Sequence, residues 1–374
     1  MGWEIPERVP RAGRVLSAAM LAVPLALPAL TASAATAAPP NAPPSAAQPG
    51  FTETDVVSDI PDRAALTDAD VVNAWGLALS PTSPLWVANN GTNSATLYAG
   101  GANGGAVTKV PLRVAIPGGA PTGQAFNDTA SFVVTGPAGS GPARFLFVSE
   151  GGEVTGWSPA AAPTDAIVAA HSHGAVYKGL ALLHTDAGPF LLATDFRRGR
   201  IDVYDGQFRR VELPAPLFTD RRLPHGYAPF NVAVLGDGIY VSYAKQSPGG
   251  VDEVDGLGLG FVDKYNAFGL LTRRVASRGT LNAPWGLALA PASFGSLAGH
   301  LLVGNFGDGR IGAYDSSGGF DGQLLDAAGH PMAIDGLWAL LPGTANTGGT
   351  DAVWFSAGPG EEEHGLVGLI RPAS

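Results

Sequence analysis

The chain has 374 residues, no cysteine and a formal net charge of −10. The negative charge argues against a nucleic-acid partner, because the protein would repel a phosphate backbone. The lack of cysteine excludes disulfides, thiol chemistry and cysteine-ligated zinc, so the fold must depend on its packed core. The chain contains 52 glycines, 31 prolines and only 14% charged residues, which indicates many turns and little long helix.

The N-terminal segment predicts export. Arg8, Arg11 and Arg14 precede an apolar run over residues 15–30, and the small residues 32–34 fit a cleavage site. This is the pattern of a signal peptide over residues 1–34, and the missing twin arginine favours the general secretory route. Residues 35–50 are rich in alanine and proline and predict a disordered linker. No later apolar stretch is long enough for a transmembrane span, so we expect a soluble, extracellular mature protein.

A repeat runs through the rest of the chain. Residues 73–79 (NAWGLAL) return almost unchanged at 282–289 (NAPWGLAL), and residues 177–182 carry the same core. Weaker copies occupy residues 120–126, 228–234 and 334–340. Aligned on one anchor position, the copies fall at residues 76, 123, 179, 231, 286 and 336, at intervals of roughly 50 residues.

Each copy is followed by further short runs rich in β-branched and aromatic residues. The second runs are residues 85–89, 145–150, 191–195, 239–243, 301–305 and 353–356. Glycine, proline, asparagine or aspartate bounds each run, which is typical of strands. Four short strands per unit at this spacing predict an all-β fold, a six-bladed β-propeller with four-stranded antiparallel blades.

The sixth unit has only three strands before the chain ends. A strand-like segment at residues 51–57 precedes the first unit. We expect it to complete the last blade and close the ring, because closure covers an exposed sheet edge. The predicted propeller domain spans residues 51–374, with blades at about 73–119, 120–173, 174–225, 226–280, 281–332 and 333–374 plus 51–59. We expect a monomer.

Several segments carry a family resemblance. They are residues 195–203, 226–231, 284–288, 301–311 and 358–366. They resemble an uncharacterised family of secreted bacterial propeller proteins related in fold to the NHL-repeat group, over residues 55–370. The resemblance implies the propeller fold and assigns no activity.

The antiparallel meander places candidate ligand-binding residues at one mouth of the central channel. Loops between blades and loops between the second and third strands share one face, here called the top. Starts of first strands and ends of second strands therefore meet there. The candidates are Trp75, Glu150, Lys178, Asn231, Trp285 and Asp335. The two tryptophans hold the same repeat position, where packing between blades is the alternative to stacking on a sugar. The repeated Asn89, Asp195 and Asn305 are interpreted as caps of turn amides.

Two acidic loops join the same face, at residues 251–255 and 361–364. Their candidate metal ligands are Asp252, Asp255, Glu362, Glu363 and His364. Carboxylates suit Ca²⁺, and the histidine extends the choice to Mn²⁺ or Zn²⁺. The alternative is that these are solvated acidic loops, so a divalent cation is a hypothesis and no cofactor is certain.

Three classes of function stay open: a binding module, a metal-assisted hydrolase and a structural role at the cell envelope. The first is a binding module for a small molecule, glycan or protein, favoured because no G-x-S-x-G or phosphate-binding loop is present. The second is a hydrolase resembling the six-bladed lactonases, in which a divalent ion polarises a carbonyl and activates water. His171-Ser-His173 has the spacing of a metal pair on one strand face, but no carboxylate lies near it in sequence.

Overall fold

The computed structural model describes residues 50–373. The predicted signal peptide and nearly all of the predicted linker lie outside these residues. The chain first forms β1 (Gly50–Ser58) and β2 (Leu66–Thr67). Blade one follows, with β3 (Ala74–Ala78), β4 (Leu85–Asn89), β5 (Ser94–Gly100) and β6 (Val107–Ala115). Blade two contains β7 (Pro121–Phe126), the inserted hairpin β8 (Val133–Gly136) and β9 (Gly139–Pro142), then β10 (Phe145–Ser149), β11 (Glu153–Trp157) and β12 (Ile167–His171).

The next two blades repeat the four-strand meander. Blade three contains β13 (Tyr177–Thr185), β14 (Gly188–Asp195), β15 (Arg200–Asp205) and β16 (Arg210–Val211). Blade four contains β17 (Tyr227–Leu235), β18 (Gly238–Gln246), β20 (Gly260–Tyr265) and β21 (Leu271–Ser277). A short strand, β19 (Glu253–Val254), pairs with β18 and brings the first acidic loop into the sheet.

Blade five contains β22 (Pro284–Leu289), β23 (Leu301–Asn305), β24 (Ile311–Tyr314) and β25 (Phe320–Gln323). After β26 (Leu325–Asp326), blade six supplies β27 (Leu337–Pro342), β28 (Val353–Ala357) and β29 (Leu366–Pro372). Short 3-10 helices occur at Asn90–Thr92, Ala102–Gly104 and Ala292–Leu297. The predicted all-β fold with six antiparallel blades is confirmed. No helix within residues 50–373 is long and apolar enough to cross a membrane.

The N-terminal strand closes the ring as predicted. Strand β1 pairs antiparallel with β29, with Phe51 opposite Pro372 and Ser58 opposite Leu366. Strands β2 and β26 extend this sheet by parallel pairing with β1. Phe51 is buried and contacts Phe294 of blade five at 4.8 Å between ring centroids. Closure therefore covers the edge of β29 and adds packing between blades five and six.

The first strands of the six blades surround the channel, and each packs against the next, including β27 against β3. This close approach explains the glycine of the repeat. A Cβ at Gly76 would lie 2.3 Å from the carbonyl oxygen of Thr122, and one at Gly123 would lie 2.4 Å from the amide nitrogen of Leu180. Since real Cβ atoms do not approach so closely, these positions need glycine for contact between neighbouring strands.

Blade six shows where the sequence alignment was wrong. Leu337 pairs with Ala357 as Ala74 pairs with Asn89, so Trp338 matches Trp75 and Ala339 takes the anchor position. The alignment had placed Gly336 there. Gly336 instead precedes the strand with a positive φ of 66°.

Candidate functional site

One residue of each first strand forms a ring in the upper part of the channel. It lies in the irregularity in pairing that all six blades share, directly after the last residue paired before the register shift. The six residues are Trp75, Thr122, Lys178, Phe230, Trp285 and Trp338. Four are aromatic, and the two that break this pattern lie in the neighbouring blades two and three.

The aromatic members fill the channel axis. Trp75 stacks on Trp338 with 3.6 Å between ring centroids, and Trp285 meets Trp338 edge-on at 6.0 Å. Phe230 lies 6.0 Å from Trp338, while Phe306 stacks on its ring at 4.0 Å. These rings form an aromatic plug between the top mouth and the lower channel. Trp75 and Trp285 are buried in it, so the interpretation of their repeat position as packing fits this arrangement better than an open sugar platform.

A buried lysine lies against this plug. The Nζ atom of Lys178 is 2.6 Å from Oε1 of Glu150 and 4.9 Å from the ring centroid of Trp75. Burial alone would lower the pKa of Lys178, but the carboxylates of Glu150, Glu253 and Asp252 outweigh it and raise the pKa. Lys178 is therefore a permanently charged ammonium group inside the channel mouth, held by a carboxylate and an aromatic face.

A chain of asparagines extends from this ion pair to blade six. Asn90 donates from Nδ2 to Oε2 of Glu150 at 3.2 Å, and Asn73 donates to Oδ1 of Asn90 at 3.3 Å. Asn73 also donates to Oε2 of Glu362 at 2.7 Å and accepts from the indole N–H of Trp338 at 2.8 Å. Asn73 has a φ of 46°, a left-handed conformation that asparagine tolerates better than most residues.

Glu253 supplies the second buried acid. Glu253 is only 3% exposed, and strand β19 holds its backbone at the top of blade four. Burial raises the pKa of Glu253 to about 7, against the opposing effect of Lys178, and the carboxylates of Glu362 and Asp252 raise it further. Within residues 50–373, its carboxylate forms no ion pair closer than 4.0 Å. Glu253 therefore changes charge near neutral pH.

Together these groups form what we call the upper polar centre: Asn73, Asn90, Glu150, Lys178, Glu253 and Glu362. They come from blades one, two, three, four and six. Such convergence follows from the fold, because loops between blades and loops after second strands meet at the top. The centre combines one fixed cation, two carboxylates with hydrogen-bonding partners, one acid that titrates near neutrality, and two amides.

Two of the predicted channel-mouth residues lie outside the upper polar centre. Asn231 lies below the plug, where it donates to the carbonyl oxygen of Trp285 at 2.7 Å and joins two first strands. Asp335 is exposed in the loop before β27 and accepts from the amide of Gly360 at 3.0 Å. Glu150 and Lys178 are the predicted residues that the fold joins in an ion pair.

The candidate metal ligands do not converge. Asp252, Asp255 and Glu363 are exposed, and Glu362 is bound by Asn73. The Nδ1 atom of His364 lies 2.9 Å from Oδ2 of Asp59, in the segment after β1. No group of three or more histidine, aspartate or glutamate side chains in the described part of the chain is arranged to hold a metal ion. These residues therefore do not fit the expected divalent cation, which stays a prediction.

Sequence reasoning missed the role of Asn73, Asn90 and Glu253. The sequence places Asn73 at a strand start by the channel mouth and Glu253 in an acidic loop, but it does not predict the contacts of either side chain. One signal was available: Lys178 breaks an otherwise aromatic ring position and needs a buried acid nearby. The capping interpretation fits two of its three residues. The side chains of Asp195 and Asn305 accept from backbone amides, but Asn89 donates to the hydroxyls of Ser94 and Thr96.

Below the plug lies a lower chamber of about 370 Å³. Its wall is formed by the first strands beyond the ring, including Leu77, Leu180 and Leu287. An exposed pair marks its rim, with Nε2 of His184 2.8 Å from Oδ1 of Asp128. The channel therefore has two chemically different ends, one charged and one mainly apolar.

Comparison with known proteins identifies relatives. An uncharacterised protein of Acanthamoeba polyphaga mimivirus is 34% identical over 325 residues, covering 84% of this chain and 78% of that protein. A second uncharacterised protein of the same virus is 33% identical over 317 residues and covers 82% of each chain. The chain belongs to the family of these mimivirus proteins. No model of a known protein family matches it.

A solved structure similar to this chain supports the fold. A protein of unknown function from Bacteroides thetaiotaomicron superposes with a TM-score of 0.51 at 14% identity, covering 86% of this chain and 76% of that protein. This likeness concerns the fold alone. Because the family relatives reported above are viral, the bacterial origin and secretion implied by the sequence resemblance stay predictions.

Proposed function

We propose that this propeller is an exported binding module that takes a small polar molecule at the upper polar centre. The observation that carries the proposal is the pairing of buried Lys178 with Glu150 beside a second buried acid, Glu253. Burying three ionisable groups at one point costs folding free energy, and proteins accept such costs mainly at functional sites.

The chemistry of the centre defines the ligand class. Lys178 and Glu150 neutralise each other, while Glu362 offers acceptor oxygens and Glu253 is a donor when protonated. The centre therefore favours a neutral, hydroxyl-rich molecule, whose hydroxyls can donate to carboxylates and accept from protonated Glu253, or an amine, whose ammonium group can donate to the carboxylates. The net charge of −10 makes an anionic ligand unfavourable at this mouth.

A thermal-shift panel of monosaccharides, polyols, amino acids and polyamines tests this function on the purified protein. We expect at least one neutral or amine compound to raise the Tm, and calorimetry to give one binding site. Glu253→Gln and Glu362→Gln should each weaken that binding at least tenfold. Glu363→Gln is the matched control, because Glu363 lies on the same loop, is exposed and loses the same charge. Binding that is unaffected by both variants, or a panel without any hit, overturns the proposal.

Elemental analysis of the same preparation tests the divalent-cation hypothesis. A stoichiometric ion that Glu362→Ala or His364→Ala removes would favour the metal-assisted hydrolase instead. The contacts of these residues with Asn73 and Asp59 support the binding function better.

A further inference from the structure

A second polar cavity lies between blades two and three, away from the channel. Its volume is about 530 Å³, and its wall contains His171, His173, Arg198, Arg200 and Arg210. None of the residues between 50 and 373 that line it is an acid. We call this cavity the arginine recess. Such a concentration of basic groups is unusual in a chain with a net charge of −10.

Buried carboxylates contact the arginines on the side away from the cavity. Asp195 and Asp202 have side chains 0% and 4% exposed. The Nη1 atom of Arg198 lies 2.8 Å from Oδ2 of Asp195, and Nε of Arg200 lies 2.8 Å from Oδ1 of Asp202. The hydroxyl of Tyr177 donates to the other oxygen of Asp202 at 2.8 Å. These contacts fix the guanidinium groups before any ligand arrives, which lowers the entropy lost on binding.

Donors remain available on the cavity side. Arg200 uses Nε for Asp202, and its two terminal nitrogens have no hydrogen-bond partner among residues 50–373. Nη1 of Arg210 is 3.6 Å from Asp202, and its other terminal nitrogen contacts the exposed Glu212. The rings of His171 and His173 lie 6.1 Å apart, and both side chains are exposed. Partly exposed guanidinium groups with free N–H donors suit a planar or tetrahedral oxyanion.

We propose that the arginine recess binds the phosphate or sulfate group of a small molecule. The aspartates position the guanidinium groups, and Arg200 and Arg210 bind the oxyanion, with His173 at the rim. This site does not depend on the upper polar centre, because the two share no residue. It also gives His171-Ser-His173 a role in anion binding and not in metal binding.

The test measures binding of inorganic phosphate and of sulfate to the full chain, with chloride at matched ionic strength as reference. We expect phosphate, sulfate or both to raise the Tm relative to chloride and to give a millimolar dissociation constant by calorimetry. A preference for phosphate indicates that the ligand is a phosphate ester, and a preference for sulfate indicates a sulfate ester. Arg200→Gln should weaken binding at least tenfold, and Arg200→Lys should weaken it less.

Arg209→Gln is the matched control, because Arg209 is exposed, lies outside the recess and pairs with Asp205 and Gln207. It should leave anion binding unchanged. His173→Gln tests the site without replacing an arginine, and it should weaken binding a fewfold. Equal effects of chloride and both oxyanions, or equal binding by wild type, Arg200→Gln and His173→Gln, would overturn the proposal.

Discussion

The Nζ atom of Lys178 lies 2.6 Å from Oε1 of Glu150, and the lysine side chain is only 2% exposed. Lys178 belongs to β13 of blade three, whereas Glu150 follows β10 of blade two. The ion pair therefore joins two blades at the point where the aromatic plug ends. Because Asn90 of blade one also binds Glu150, a substitution of Lys178 should disturb contacts in three blades.

Replacing the lysine should be strongly destabilising. Lys178→Met keeps most of the side-chain volume but leaves Glu150 without its cation and removes the neutralising charge beside Glu253. Loss of one partner of a buried pair costs about 3–5 kcal/mol of unfolding free energy. Urea denaturation of wild type and variant measures the difference.

A double variant separates the ion pair from packing. Lys178→Met with Glu150→Gln should recover a large part of the lost stability, since neither partner is then charged and unpaired. If both variants lose the same free energy, the cost comes from packing and the ion pair contributes little.

The pH dependence of stability should report on Glu253. Its pKa in the folded protein is about 7, against an ordinary value of 4.5. The folded state therefore holds this proton more tightly than the unfolded chain. The resulting stabilisation is complete below about pH 4.5 and is lost as the pH rises through 7. Glu253→Gln should remove this loss, which we expect to be on the order of 2 kcal/mol between pH 5 and 8.

Denaturation curves at several pH values compare wild type, Glu253→Gln and the control Glu363→Gln. The control should follow the wild-type profile, because Glu363 is exposed. Parallel profiles for wild type and Glu253→Gln would contradict the assignment. The comparison of variants is needed since burial also raises the pKa of Asp263 and of Glu53 to about 7.

The fold could be predicted from sequence because its strongest constraint is local. Packing of first strands around a channel requires glycine at Gly76, Gly123 and Gly179. Because the requirement recurs in successive blades, it produces a repeat that is visible in the sequence. In blade six the same position accepts Ala339, so an alignment that followed glycine identity moved to Gly336. The upper polar centre depends on loop paths instead. Glu253 reaches it only because β19 pairs with β18, and no periodic pattern encodes that bridge.

The glycine requirement can be tested directly. Gly123→Ala should lower the free energy of unfolding by about 1–3 kcal/mol, because its Cβ would lie 2.4 Å from the backbone nitrogen of Leu180. Gly105→Ala is the control: Gly105 is exposed, and the nearest atom to its Cβ is the oxygen of Ala102 at 3.1 Å. Chemical denaturation should show little change for the control. Equal stability of both variants would mean that the first strands can move apart without loss of unfolding free energy.

Removal of the closing strand should destabilise the whole ring. Deleting residues 50–58 exposes the edge of β29 and removes the contact of Phe51 with Phe294. We expect a Tm lower by more than about 10 °C, since a single buried phenylalanine already contributes about 3–5 kcal/mol of stability. We also expect the chains to associate through the exposed edge of the sheet. Differential scanning calorimetry and light scattering measure both effects. Thr52→Ala with Thr54→Ala is the control, because these exposed side chains change while the strand and its pairing remain. An unchanged melt of the deletion variant would show that blade six is stable with three strands, and the ring would then close by packing of first strands alone.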